Sequence, residues 1–269
     1  LGDVRLALGR YGDADTAYNA VLRLNPRVAA AHTALAQLSL RRGSPEAAVG
    51  FAREALLNEP VNDEARLLLV KGLLQRRDVK RAAEEMAVLL GRQPGSAAVR
   101  AVNGALKLQQ GDRPGARKEY EAALAGDPGQ IDALSGLTTL EAHEGQLARA
   151  RARLAARLQV DNRNVALMLL AARTDFQAED YASGERRREE AIRINPATLH
   201  AYELLGSAYI RQQKVEAARA KFEQIVQREP RSVGAYTALG MIFEVLRQPH
   251  EAEKAYQQAL QIDPRAAVA

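Results

Sequence analysis

The sequence predicts an all-α solenoid of stacked helical hairpins, and three observations carry that prediction. Proline recurs at Pro26, Pro60, Pro94, Pro128, Pro196, Pro230 and Pro264, at intervals of 34 residues broken once by an interval of twice that length. One column of that period holds Ala14, Ala48, Ala82, Ala116, Ala150, Ala218 and Ala252, with Gly184 its exception. Within each period, apolar residues return every three or four positions. Leu204, Leu205, Ala208 and Tyr209 form one stripe, and Ala217, Ala218, Phe222 and Ile225 the next.

Each element follows from this frame. If a unit ends two residues after its proline, the chain holds the units 29–62, 63–96, 97–130, 131–164, 165–198, 199–232 and 233–266 after a partial unit 1–28. One array then covers residues 1–269. The alanine column is position 20, and a side chain kept that small implies close approach of two helices. Position 8 is also mostly small (Ala36, Gly104, Ala172, Gly206 and Gly240) and supplies the opposite side of the contact. Between the helices lies a turn such as "RRGSPEAA", where Ser44 can cap and Pro45 can open the second helix. At position 34, Asn62, Ser96, Asn164, Thr198 and Ser232 are good N-caps for the next unit, while Val28 and Gln130 are exceptions. The proline two residues earlier stops the preceding helix.

The stretch "LQVDNRNVAL" (158–167) lacks its proline and carries Asn162 instead. The period is expected to run unbroken through Asn162, which can adopt the left-handed conformation that ends a helix. Arg157, Gly184 and Arg188 also depart from their columns. Arg188 is expected to bury its stem and keep its head in water, and residues 131–198 to form the least protected hinge of the array.

A 34-residue helix-turn-helix period with these columns resembles the tetratricopeptide repeat family over essentially the whole chain. The last two units carry the resemblance most strongly. They place Tyr202, Leu205, Gly206, Tyr209, Ala218, Phe222 and Pro230, then Tyr236, Leu239, Gly240, Phe243, Ala252, Tyr256, Ala259 and Pro264, at the family's signature positions. Position 4, often Trp in the family, is never Trp here. The resemblance implies a right-handed superhelix, with the first (A) helix of each hairpin lining a concave groove and the second (B) helix outside. Neither end reads as a polar cap, so the array is expected to continue in both directions.

Composition narrows the function. Hydrophobic residues make up 47% of the chain and charged residues 26%, which suits a folded, non-fibrous protein. A net charge of +5 permits nucleic acid as a partner without indicating it. Zero cysteine excludes disulfides, thiolate catalysis and cysteine-ligated metal. The apolar run "VALMLLAA" is far shorter than the roughly 20 residues that span a bilayer. His32, His143, His200 and His250 fall at unrelated positions of the repeat, and no HExxH, phosphate-cradling loop or nucleophile elbow is present. The reading is therefore of a non-enzyme without cofactor or metal.

Function is sought on helix-A positions 2, 5, 9, 12 and 13, which the family resemblance assigns to the groove. Position 12 (Leu40, Leu74, Leu108, Phe176, Ile210) reads first as partial core and second as an apolar floor for a ligand. Position 13 runs Arg41, Gln75, Gln109, His143, Gln177 and Arg211, a row able to bond a peptide backbone or merely to solvate a helix. With Gln37, Lys71 and Arg173 from position 9, the candidate groove residues are Gln37, Lys71, Gln75, Leu108, Gln109, Arg173, Phe176, Gln177 and Arg211. Groove charges are mixed: Asp3, Glu64, Asp132, Glu203 and Glu244 stand against Arg41, Lys71, Arg173 and Arg211. That balance argues against a nucleic-acid channel. The family's clamp for carboxyl-terminal tails is absent, since positions 5 and 9 read Thr33/Gln37, Leu67/Lys71, Ala101/Ala105 and Ser135/Thr139.

The sequence thus reads as an interaction scaffold binding a peptide or helical segment of a protein partner. The alternative is a regulatory or substrate-presenting arm of a larger enzyme or envelope assembly. The Ala- and Arg-rich composition leans toward a bacterial source.

Overall fold

The computed structural model describes residues 11–195 and 209–263, with Tyr202, Leu205 and Gly206 between them. Asp3, Pro196, Thr198, His200, Glu203, Leu204, Ala208 and Pro264 of the sequence reading lie outside the described residues. The chain divides into two compact units, Leu1–Gln146 and Leu147–Ala269, with the division falling inside the repeat 131–164. The first unit holds α1 (Tyr11–Leu24), α2 (Ala29–Arg41), α3 (Pro45–Asn58), α4 (Asp63–Gln75), α5 (Val79–Arg92), α6 (Ala97–Gln109), α7 (Arg113–Gly126) and α8 (Ile131–His143). The second holds α9 (Leu147–Val160), α10 (Val165–Gln177), α11 (Tyr181–Ile194), α12 (Val215–Arg228), α13 (Val233–Val245) and α14 (Pro249–Ile262). All regular structure among the described residues is helical, and equivalent helices start and end 34 residues apart.

Both kinds of turn repeat at the level of single hydrogen bonds. Between A and B helices, position 15 is left-handed throughout: Gly43 (φ 68°), Arg77 (59°), Gly111 (84°), Gly145 (72°), Glu179 (59°), Gln213 (58°) and Arg247 (56°). The next N–H reaches back five residues, as Ser44 N does to Ser39 O (2.9 Å) and Asp78 N to Leu73 O (2.9 Å), which closes a Schellman motif. Asp78, Asp112 and Asp180 then cap the B helices through Arg81, Gly115 and Ser183 N–H groups. The Gly115 N–H and the Lys107 ammonium hold the Asp112 carboxyl below its usual range. Ser44, expected to cap, makes no such bond, because Pro45 already shapes the first turn there.

Between B and A helices, the N–H of position 34 bonds the carbonyl three residues back. Examples are Asn62 N to Glu59 O (3.0 Å) and Asn164 N to Asp161 O (3.5 Å). In such a turn the second residue needs φ near −60°, which proline presets. Asn162 holds that second place and accordingly is not left-handed, contrary to the expectation for it. Asn164 secures the junction, accepting from Leu167 N (3.0 Å) and donating to Asp161 (2.8 Å). Gln130, an exception by residue type, caps as well: its Oε1 accepts from Asp132 N (2.6 Å) and Ala133 N (3.2 Å). Val28 caps nothing.

The small columns are buried as expected. Ala14, Ala48, Ala82, Ala116, Ala150 and Ala218 have no exposed surface, and Gly184 is buried. Position 24 fills the space beside them, as Tyr120 on α7 does. A Cβ on Gly104 would come within 2.5 Å of the Tyr120 ring, and one on Gly136 within 2.1 Å, so two glycines from successive A helices give that ring its slot. Arg188 holds position 24 in the second unit and is fully buried, head included. The water-facing head expected of it is therefore wrong. Its guanidinium lies 3.9 Å from the centroid of Phe176, whose ring occupies the room left by Gly184. Burial, followed by the charge of Arg211, pulls its pKa down to about 9, while Glu185 opposes the shift.

Successive repeats are joined by a second pair of columns, positions 21 and 11 of the following repeat. At one junction both are apolar, Val49 with Leu73 in a common core cluster. At the next charged junction Arg117 lies 4.0 Å from the buried Glu141 and 2.7 Å from Glu144. Then Arg151 Nε donates to Asp175 (2.8 Å), a carboxylate that is 2% exposed and also accepts from Arg187 (2.7 Å); Arg151 further bonds Asp180. In the last such pair, the Arg219 guanidinium sits 5.7 Å from the Phe243 ring centroid. The Asp175 cluster ties α9, α10 and α11 together where Gly184 and Arg188 thin the apolar core.

Two predictions follow from these contacts. A Cβ on Gly43 would meet nothing within 4 Å. Gly43→Ala should therefore cost about 1 kcal/mol through backbone conformation alone, and Arg77→Gly should gain about 0.5–1 kcal/mol, read from urea unfolding. Asp175→Ala should cost about 3–5 kcal/mol by the same measurement, because two guanidiniums lose their buried counter-charge. A loss near that of an exposed pair, under about 1 kcal/mol, would remove Asp175 from the role of inter-repeat tie.

Candidate protein-binding face

The A helices of the first unit, α2, α4, α6 and α8, present five positions, and their burial sorts them. Position 12 belongs to the core. Leu74 is buried, Leu40 and Leu108 are half-buried and pack on core clusters, and in the second unit Phe176 is buried beneath Arg188. Leu108 and Phe176 are thus packing residues: Leu108 lies against the cluster of Ala116, Tyr120, Ala133 and Leu137, and Phe176 is covered by Gly184 and Arg188 of its own hairpin. Position 13 is solvent-facing at Arg41, Gln75, Gln109, His143, Gln177 and Arg211. One of its glutamines serves the stack: Gln109 Nε2 donates to Leu74 O (3.0 Å), a carbonyl in the last turn of α4 that also accepts from Arg77 N (3.0 Å). Gln75 and Gln177 are exposed, and Gln37 is half-buried.

Lys71 and Asp132 define the face. Lys71 Nζ donates to Asp132 Oδ2 at 2.6 Å, although position 9 of α4 and position 2 of α8 belong to repeats with another repeat between them. Neighbouring helix axes lie about 8–10 Å apart, so in a straight stack α4 and α8 would stand farther apart than a lysine and an aspartate can together reach. The pair closes across the face of α6, so α4 and α8 stand within side-chain reach of each other here. The intervening α6 contributes only Ala98, Ala101 and Ala105 at positions 2, 5 and 9, which leaves the space above it clear. Leu67 and Lys71 flank this alanine floor on one side, Ser135 and Thr139 on the other, all half-buried. Exposed Glu64 stands near the start of α4, and exposed Arg41 at the end of α2.

The structure therefore brings together Gln37, Lys71, Gln75 and Gln109 on the A-helix face of the first unit. It places Arg173, Gln177 and Arg211 on exposed surface of the second unit. Asp132 and the three alanines complete the face and were legible only by comparing positions 9 and 2 of alternate repeats. A separate open cleft of about 570 Å³ lies in the second unit, lined by Asn162, Arg163, Glu190, Arg193 and Ile194. No helix among the described residues is long and apolar enough to cross a membrane.

Comparison with known proteins agrees with this architecture. The tetratricopeptide repeat family profile matches residues 1–56, 169–228 and 204–267, together more than half of the chain. A tetratricopeptide repeat protein from Parabacteroides merdae is similar in structure at a TM-score of 0.50 and 16% identity, covering 93% of this chain and 95% of that one. The human IFIT1 dimer with m7Gppp-AAAA is similar at a TM-score of 0.59 and 12% identity, covering 94% of this chain and 68% of that one. No curated protein sequence matches. With the family profile on both terminal portions, and the 34-residue hairpin recurring through the residues between them, the chain belongs to the tetratricopeptide repeat family.

Proposed function

We propose that the chain is a non-enzymatic scaffold whose A-helix face binds an extended or helical segment of a protein partner. Tetratricopeptide repeat proteins are generally interaction scaffolds without catalytic activity, and that much comes with the family. The observation that supports the finer reading is the division of labour on the A helices. Positions 8 and 12 go to packing, while position 13 and the margins of the alanine floor offer amide and charged groups to solvent. Amide side chains supply both donors and acceptors for a peptide backbone, and extended segments are commonly held this way.

Nucleic acid is not part of the reading. The similar IFIT1 structures are complexes with PPP-AAAA, Gppp-AAAA and m7Gppp-AAAA, but at 12–13% identity the likeness extends to the fold alone. On this chain Glu64 and Asp132 share the face with Arg41 and Lys71, whereas a strand-binding groove is basic and carries stacking aromatics.

The test is capture by immobilised protein from an extract of the cells that produce it. The combined change Gln37→Ala, Arg41→Ala and Gln75→Ala should reduce the captured partner at least tenfold. Arg53→Ala with Lys118→Ala, exposed on the B helices α3 and α7, should leave capture unchanged. Capture that survives the first set and fails with the second would move binding to the outer face. Single-stranded RNA should show no retention on filters at low salt.

A further inference from the structure

We propose that Asp132 is a built-in stand-in for the ligand of Lys71, and that the A-helix face of the first unit takes an extended protein segment whose acidic side chain displaces it. This rests on the scaffold reading above and adds the chemistry of the segment. Three observations lead to it. Among the described residues, Asp132 is the one carboxylate bonded to Lys71, and the two side chains are a third and a half exposed, so the pair opens to solvent without unfolding anything. The bond skips a repeat, whereas the other inter-repeat ion pairs among the described residues join nearest neighbours, such as Arg117 with Glu144 and Arg151 with Asp175. Between the two, α6 offers only small side chains at positions 2, 5 and 9, with Ala98 and Ala105 half-buried and Ala101 buried, so no large side chain at these positions stands between Lys71 and an incoming segment.

The two partners differ in how well they tolerate separation, and that difference fixes the sign of the ligand. Asp132 stands in the first turn of α8, where the helix dipole favours a negative charge even without Lys71. Lys71 stands at the middle of α4, remote from the carbonyl end that would favour a cation. Glu64, the other acid on this helix face, is two turns away, about 10 Å along the axis. Opening the pair therefore leaves the ammonium in want of a counter-charge and the carboxylate content. An incoming Asp or Glu side chain fits that want; an incoming Lys or Arg would have to compete for a carboxylate that needs it less. The contact at 2.6 Å shows that a carboxylate oxygen reaches Lys71 Nζ over the alanine floor.

Removing the stand-in should expose the site, which is a gain that a merely structural ion pair would not produce. The probe is a synthetic bead library of random octapeptides, acetylated at the amino end and amidated at the carboxyl end, so that every carboxylate comes from a side chain. It is panned with wild-type chain, with Asp132→Ala and with Asp132→Ala combined with Lys71→Gln. Beads retained by Asp132→Ala should be enriched in Asp and Glu over the starting library, and binding of individual acidic hits should be about two- to fivefold tighter than to wild type. The Lys71→Gln combination should abolish both effects. Retained peptides without acidic enrichment, or enrichment that survives Lys71→Gln, would overturn the proposal while leaving the scaffold reading in place. Retention of no peptide by any of the three chains would overturn both.

Discussion

The close approach of the two helices in each hairpin, across an alanine that solvent never reaches, is the constraint on which the rest of this structure depends. With position 20 at zero exposure, the B helix lies near enough to its A helix for position 24 to sit over position 8, and the sizes of the three columns become mutually conditional. Tyr120 needs Gly104 and Gly136; Tyr256 needs Gly240, whose Cβ would come within 2.2 Å of the ring. The one glycine in the alanine column shows the same condition from the other side. Gly184 removes a methyl, the Phe176 ring moves into the vacated space, and position 24 is then occupied by Arg188 stacked on that ring. A buried guanidinium pays a desolvation cost, seen in its pKa falling to about 9. The same hairpin carries the Asp175 cluster, so a polar network takes up coupling that elsewhere belongs to apolar contacts.

Repeats alike in backbone are thus unlike in how they join. Val49 with Leu73, Arg117 with Glu141, Arg151 with Asp175 and Arg219 with Phe243 occupy one geometric relation with three chemistries: apolar contact, ion pair and cation–π contact. A repeat moved to another place would set a charge against an apolar side chain, and burying such a charge unpaired costs far more than any of these pairs contributes. The columns therefore encode order along the stack as well as stability, a role that identical repeats could not fill.

Much of this was legible in the sequence because it depends on one column at a time. The period, the small positions, and the caps at Asn62, Ser96, Asn164 and Ser232 are each set by a residue type in a known place. What escaped depends on pairs of columns or on a backbone that outvotes its residue. Arg77, Glu179, Gln213 and Arg247 are left-handed where propensity favours glycine, because the Schellman closure holds that position in every described hairpin. Asn162 is right-handed where its type allows otherwise, because the turn it shares with the prolines requires it. Gln130 caps a helix with a side chain longer than those usually chosen. On the candidate face, the exposed glutamines were visible as a row, but Leu108 and Phe176 were not separable from floor residues until their packing partners were in place. Asp132 stood out only as one of the groove charges, because its pairing with Lys71 relates positions 2 and 9 of alternate repeats, 61 residues apart in the chain.

That last contact changes how the first unit behaves as a solenoid. When each repeat touches only its neighbours, stability is close to a sum of local terms, and a disturbance decays from repeat to repeat. A bond from α4 to α8 over α6 adds a term that depends on the curvature of three repeats together. Its energy is that of an exposed ion pair, about 0.2–1 kcal/mol, too small to decide folding. It is of the right size to bias shape, since a difference of that order shifts a two-state balance by a few-fold while leaving both states populated. On the proposed displacement, occupancy of the alanine floor is linked through one carboxylate to the α4–α8 contact, because whatever separates Asp132 from Lys71 also releases the bond that spans three repeats.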